Sequence, residues 1–119
     1  MSNADKLVQA AAVALCAYTL PAQAAGNSGW WVVLGSVETP DNNYTPQVES
    51  AVDGIEASAR RCRLKPYHDF SSKFRGFSSG FTAVVVGAYA SKTSAERVLA
   101  RARKCLPDAY LQRGSYAGE

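Results

Sequence analysis

The chain has 119 residues, of which 47% are apolar and 19% charged, and this composition is typical of one globular domain rather than of a disordered chain. Its formal net charge of +3 is too small to indicate a nucleic-acid-binding protein, since such proteins concentrate Lys and Arg on one surface. We therefore expect no nucleic acid among its partners.

The amino-terminal part of the chain is typical of a secretory signal. An uncharged apolar run from Leu7 to Leu20 follows Lys6, and Pro21 to Ala24 place small residues before a cleavage site. The run is shorter than the about 20 apolar residues that a membrane-spanning helix needs. A buried first helix is the alternative, but the run has little polar face.

The signal sets the expected organisation of the whole chain. We expect residues 1–24 to be a signal peptide, residues 25–29 a linker and residues 30–119 the mature domain. Export by such a signal predicts that the domain is periplasmic or secreted.

Two apolar runs in the mature domain predict strands that are buried on both faces. Trp30–Val37 and Phe81–Tyr89 are rich in aromatic and β-branched residues. Gly35 and Gly87 stand at the same place in both runs, which indicates an internal repeat.

A helix is predicted after each of these strands. Thr45 followed by Pro46 is typical of the start of a helix, and Thr93 to Glu96 fit a capping box. Apolar residues then recur at helical spacing in each segment: Val48, Ala51, Val52, Ile55, Ala59 and Cys62 in the first, and Ala95, Val98, Leu99, Ala102, Cys105 and Leu106 in the second.

A short strand is expected after each helix, at Arg63–Lys65 and at Ala109–Arg113, with Pro66 restricting the first to a sheet edge. The order strand, helix, strand, strand, helix, strand predicts an α+β domain. Its four-stranded antiparallel sheet would have the two long runs as central antiparallel neighbours and both helices on one face.

The segment between the second and third predicted strands, residues 66–80, is unusually aromatic. A solvated linker has no need of four rings among serines. The rings are those of Tyr67, Phe70, Phe74 and Phe77.

The repeated strand–Gly–helix pattern resembles the SPOR (sporulation-related repeat) family over most of residues 30–116. The likeness is carried by Trp31–Ser36, Val84–Tyr89, Ser94–Glu96 and Asp108–Tyr110. It implies a ferredoxin-like βαββαβ fold in the bacterial cell envelope that binds peptidoglycan, preferentially glycan strands stripped of their stem peptides.

In that family the ligand contacts the sheet face opposite the helices, and the resemblance implies a glycan site there. The residues that would form it are Trp31, Val33, Ser36, Tyr110 and Gln112. Aromatic rings, hydroxyls and amides are the groups that a sugar ring requires, because it presents apolar faces and hydroxyl edges.

Strand alternation leaves this face apolar, because Val32 and Leu34 can line the helix side only if Trp31 and Val33 point to the other side. A glycan, a second protein or the chain's own residues 66–80 could cover such a face. The alternative function is therefore a protein interaction or homodimerisation module that uses the same face without binding glycan.

His68 is the only histidine, and with Asp69 it could orient a general base if a nucleophile lay within reach. No catalytic or metal-binding motif accompanies the pair. We therefore expect a non-enzymatic domain with no cofactor, no metal and no catalytic residues.

Two features of the helix ends remain open between two interpretations. An even pair of cysteines in an exported domain suggests a disulfide, but the predicted topology separates Cys62 from Cys105 and favours two buried thiols. The basic residues could contact anionic polymer or lipid head groups, although a solvated helix face is the simpler interpretation. They are Arg60, Arg61, Arg63, Lys65, Arg97, Arg101, Arg103 and Lys104.

Overall fold

The computed structural model describes residues 27–118. The predicted signal peptide lies outside the described residues, and the end of the predicted linker, Ser28 and Gly29, belongs to the first strand. The strands are β1 (Ser28–Glu38), β2 (Tyr67–Phe70), β3 (Phe74–Arg75), β4 (Phe81–Tyr89) and β5 (Tyr110–Tyr116). The helices are α1 (Pro46–Arg61) and α2 (Lys92–Ala102).

The domain is α+β as predicted, but its sheet has five antiparallel strands in the order β2-β4-β1-β5-β3 and is curled into a half-barrel. The prediction of a four-stranded, ferredoxin-like sheet is therefore wrong. The two long runs, β1 and β4, are antiparallel neighbours as expected, with Val33 opposite Val85. The additional strand comes from the aromatic segment, in which Phe74 pairs with Tyr116 of β5.

Both helices pack on one face of the sheet. The buried side chains that form this core are Val32, Leu34, Val48, Val52, Ala59, Leu64, Val84, Ala102 and Ala109. Gly35 permits the close approach of α1, since a Cβ at this position would lie 2.8 Å from Cδ1 of Ile55. Gly87, at the matching place of the repeat, is required for a different reason: its φ is +142°, a backbone conformation that residues with a side chain rarely adopt.

Of the two predicted helix N-caps, one is confirmed and the other is wrong. Thr45 caps α1 as predicted, accepting a hydrogen bond from the backbone N–H of Val48 at 3.2 Å. The cap of α2 is instead Ser91, whose hydroxyl accepts from the N–H of Ser94 at 3.1 Å, so the capping box at Thr93 is wrong. Ser91 can cap the helix because its own backbone is still extended.

The first of the two short strands is displaced from its predicted position, whereas the last is confirmed with shifted bounds. No strand forms at 63–65 in the described chain, because Arg63 takes a positive φ of 63° in the turn that ends α1. The strand begins after Pro66 instead, where Tyr67 pairs with Val85 of the neighbouring β4. The last strand starts at Tyr110 and continues to Tyr116.

Cys62 and Cys105 form a disulfide, with their Cα atoms 6.1 Å apart, so the preference for two buried thiols is wrong. That preference assumed that both cysteines lie on regular helix. In the structure Cys62 is the residue that ends α1, and Cys105 lies in the turn beyond Ala102, the last residue of α2. Both cysteines therefore lie beyond the last helical residue, where the chain is free to bring them together.

Candidate functional site

The sheet face opposite the helices is covered by residues 66–80, which we call the cover segment. Phe74 is 2% exposed and packs with Trp31 and Val33, which are 4% and 0% exposed. Phe77 packs against the same cluster. The side chains of Trp31 and Val33 therefore have no surface to offer a ligand while the cover segment is in place.

Trp31 lies at the centre of this second core. Its ring meets that of Phe74 edge-on, with the centroids 5.2 Å apart, and its indole Nε1–H donates to the carbonyl of Gly114 at 3.0 Å. Phe77 stacks on the far side of Phe74 at 4.5 Å. The polar and apolar parts of the indole are both satisfied inside the protein, as buried tryptophan requires.

A cluster of polar groups joins β2, at one edge of the curled sheet, to the end of β5. The hydroxyl of Tyr116 on β5 donates to Asp69 of β2 at 2.5 Å and is also hydrogen-bonded to the hydroxyl of Tyr67. Lys73 lies 3.5 Å from the same carboxylate. These contacts hold the cover segment across the concave face.

The environment of this cluster shifts the pKa of both acids. Partial burial raises the pKa of Asp69, but hydrogen bonds from Tyr116 and from the N–H of Phe70, together with the charge of Lys73, outweigh it and lower the pKa. Burial, followed by the bond to Asp69, raises the pKa of Tyr116 well above its usual range. The cluster is therefore most stable as a carboxylate beside a neutral phenol.

One part of the concave face remains open beside the cover segment, and we call it the cleft. Its volume is about 250 Å³, and it brings together three of the five residues that the resemblance implied: Ser36, Tyr110 and Gln112. The rest of its wall comes from the cover segment and the start of β4, namely Ser71, Gly76, Phe77, Ser78 and Phe81.

The cleft exists because β5 covers only part of β1. The pairing of these strands ends where Val33 faces Tyr110, so the stretch of β1 from Leu34 to Glu38 has β4 on one side and no strand of the described chain on the other. A second hollow of about 360 Å³ lies on the helix side of this gap. Ser36 and Tyr110 line both hollows.

The cleft combines ring faces with hydrogen-bonding groups. Tyr110 is 45% exposed, which makes it the most exposed large ring of the described residues. Gln112 is held by its amide nitrogen, which donates to the carbonyls of Gly76 at 3.2 Å and Arg113 at 3.0 Å. Leu111 packs into the helix-side core, so strand alternation directs Tyr110 and Gln112 to the concave face.

The four rings of the cover segment divide between two roles. Phe74 and Phe77 fill the concave face, whereas Phe70 lies 6.3 Å from the ring of Tyr44 and Tyr67 meets Tyr116 at the sheet edge. Sequence reasoning named the segment as one of three possible covers and missed Phe77, Ser78 and Phe81 as cleft residues. The signal that could have found them is the recurrence of phenylalanine at positions 70, 74, 77 and 81.

His68 and Asp69 do not act as a pair, because neighbouring residues of β2 point to opposite faces. The Nδ1 of His68 lies 2.7 Å from a carboxylate oxygen of Glu56 on α1, a partner that the sequence did not indicate. The ring of Tyr44 stacks on His68 with the centroids 6.0 Å apart. The carboxylate of Asp69 instead accepts a hydrogen bond from the hydroxyl of Tyr116.

Between residues 27 and 118 no three His, Cys, Asp or Glu side chains are grouped closely enough to hold a metal ion. Neither α1 nor α2, the helices of that same stretch, has the length and hydropathy to cross a membrane.

The two hollows thus meet at Tyr110 and Ser36, at the point where the central strand β1 loses its neighbour. Comparison of the chain with protein-family models, with curated proteins and with solved structures found no match.

Proposed function

We propose that this protein is a non-enzymatic binding module of the bacterial cell envelope, similar to SPOR domains, and that it binds glycan strands of peptidoglycan in the cleft. The observation that carries the proposal is the meeting of Ser36, Tyr110 and Gln112 at one opening. Ser36 is far in sequence from Tyr110 and Gln112, and the resemblance to the SPOR family implies all three as ligand contacts.

The chemistry of the cleft supports a carbohydrate ligand. Sugar rings stack an apolar face on an aromatic ring and direct their hydroxyls to polar groups at its margin. Tyr110 supplies an exposed ring, with Phe77 and Phe81 beside it in the wall. Hydroxyls of Ser36 and Ser78, both exposed, supply short donors and acceptors around the same opening.

The shape of the site supports a chain-like ligand over a single sugar. The hollows of about 250 Å³ and 360 Å³ share Tyr110 and Ser36 as common walls. A strand of linked sugars could cross the gap beyond the end of the β1–β5 pairing, with Tyr110 contacting it in the middle. The cover segment confines the concave side, and this favours strands that lack bulky stem peptides.

The alternative function, a protein interaction or dimer module, was predicted to use the open sheet face. That face is occupied by the cover segment, with Phe74 buried against Trp31. The structure therefore provides no observation that favours this alternative over the glycan.

Co-sedimentation with purified sacculi, before and after amidase treatment, tests the proposal. We expect binding that increases on amidase-treated sacculi, and we expect Tyr110→Ala to weaken it at least about tenfold, the order lost with one stacked aromatic contact. Tyr44→Ala is the matched control, because Tyr44 is 37% exposed but outside the cleft. Equal retention of wild type, Tyr110→Ala and Tyr44→Ala, or no retention on treated sacculi, would refute the glycan site.

A further inference from the structure

The disulfide brings the ends of both helices close together, and both ends carry exposed basic residues, which we call the basic surface. The Cα atoms of Cys62 and Cys105 are 6.1 Å apart, and each cysteine has basic neighbours in the chain. Because consecutive Cα atoms lie about 3.8 Å apart, those of Arg63 and Lys104 are within about 14 Å of each other. The six exposed residues of this basic surface are Arg60, Arg61, Arg63, Arg101, Arg103 and Lys104.

Little of this positive charge is neutralised within the described chain. Arg60 lies 3.8 Å from Glu56 and is the one member of the basic surface in an ion pair among residues 27–118. Arg61 donates to the hydroxyl of Ser58 at 3.1 Å, and Arg103 donates to the carbonyl of Ala109 at 2.9 Å. Neither bond involves a carboxylate, so both side chains keep their full charge.

Like charges repel when they are held together, and the fold has brought these side chains to one place with a covalent bond. Arg63 is held in the turn after α1 with a positive φ of 63°, an unusual backbone for an arginine. The arrangement therefore costs free energy unless counter-charges join it, and an anionic partner supplies them.

We propose that the basic surface binds linear polyphosphate, a polyanion of repeated phosphate groups. Guanidinium groups form paired hydrogen bonds with phosphate oxygens, and five of the six residues are arginine. The charges also extend along α2, where Arg97 and Arg101 share one side, one turn or about 6 Å apart along the helix axis. A row of cations fits repeated phosphates better than a single small anion.

A membrane surface is the less favoured partner. Stable attachment to a bilayer normally combines basic residues with apolar side chains that enter it. Of the described residues, the exposed large apolar ones are Tyr44, Tyr67 and Tyr110, and none belongs to segments 60–65 or 101–105. The basic surface is also separate from the cleft residues, so this proposal does not depend on the glycan site.

Binding of the purified protein to inorganic polyphosphate, measured by calorimetry at several salt concentrations, tests the proposal. We expect an affinity that falls steeply with salt, because each phosphate contact releases counterions. Arg63→Gln/Lys104→Gln should bind at least about tenfold more weakly and show a shallower salt slope. Arg75→Gln/Lys92→Gln is the matched control, since it removes the same charge from outside the basic surface and should bind within about threefold of wild type.

Three further results would decide the matter. Equal losses in both double variants would mean that net charge alone attracts the polymer, and would overturn the proposal. Binding to vesicles containing phosphatidylglycerol without binding to polyphosphate would overturn it in favour of a membrane. Unchanged polyphosphate binding by Tyr110→Ala would support it and separate it from the glycan site.

Discussion

The hydroxyl of Tyr116 donates a hydrogen bond of 2.5 Å to the carboxylate of Asp69, and these residues come from strands on opposite sides of the central pair. Asp69 lies on β2, next to β4, whereas Tyr116 ends β5, next to β1. The curl of the sheet therefore brings β2 and the end of β5 within hydrogen-bonding distance of each other. The hydrogen bond also fixes the cover segment, which contains Asp69 and pairs with β5 through β3.

Removing this hydroxyl should destabilise the domain. In Tyr116→Phe the carboxylate loses a donor, and hydrogen bonds to charged groups contribute about 1.5–3 kcal/mol. We expect a decrease of about that size in the free energy of unfolding in urea. Tyr44→Phe is the control, because the Tyr44 hydroxyl lies 3.4 Å from His68 and contributes less. Equal stability of the two variants would argue against the hydrogen bond between Tyr116 and Asp69.

Acid should weaken the fold through Asp69. Partial burial opposes ionisation of this carboxyl, but the bond from Tyr116, the N–H of Phe70 and Lys73 lower its pKa below 3.8. The folded state thus binds the proton less tightly than the unfolded state. The resulting stability is fully present above the ordinary pKa and is lost as the pH falls through the folded value. Unfolding curves between neutral pH and strong acid should show a steeper loss in wild type than in Asp69→Asn.

Alkali should weaken the fold through Tyr116. Burial and the bond to Asp69 raise the pKa of this phenol above 10.0, so the folded state holds its proton more tightly than the unfolded state. The stability is fully present below pH 10.0 and is lost as the pH rises further, when the unfolded phenol ionises. Wild type should therefore lose more stability above that pH than Tyr116→Phe does. Parallel pH curves for the two proteins would contradict the assignment.

The disulfide should contribute strongly to stability, because 43 residues of sequence separate its cysteines. Closing a loop of that size in the unfolded chain is worth about 4 kcal/mol in the chain-entropy description. We expect Cys62→Ala/Cys105→Ala to lose about 2–5 kcal/mol in urea unfolding. Reductant should lower the stability of wild type and leave the double variant unchanged. A wild type insensitive to reductant would mean that the bond does not form.

Burial of Trp31 under the cover segment can be measured directly, since the chain has two tryptophans. Trp30 is partly exposed and lies between Lys92 and Arg113, whereas Trp31 is 4% exposed. The fluorescence of Trp30→Phe, which retains Trp31, should resist quenching by acrylamide. The fluorescence of Trp31→Phe, which retains Trp30, should be quenched readily.

The difference in burial between Trp31 and Trp30 also predicts that their replacement by alanine destabilises the domain to different extents. Trp31→Ala should cost about 3–5 kcal/mol, as expected for a large ring removed from a packed core. Trp30→Ala should cost clearly less, because its ring is partly exposed. If the two substitutions cost the same and quench alike, the concave face is open in solution.

Much of the local structure was determined by the sequence alone. The aromatic and β-branched runs of β1 and β4 predicted both strands, and the order of the elements predicted their antiparallel pairing. The Thr45–Pro46 pair marked the start of α1. Alternation along β1 correctly separated Val32 and Leu34 from Trp31 and Val33. These features depend on neighbouring residues and on one hydrophobic period, which are visible in any sequence.

The number of strands, the disulfide and the occupant of the concave face were decided by the tertiary structure. Phe74–Arg75 is too short to be recognised as a strand and exists because Tyr116 is available to pair with it. Cys62 and Cys105 meet because both lie beyond regular helix, a matter of a few residues that local propensity does not resolve. Each of these outcomes depends on contacts between distant segments, whose free energy has no counterpart in the local pattern of residues.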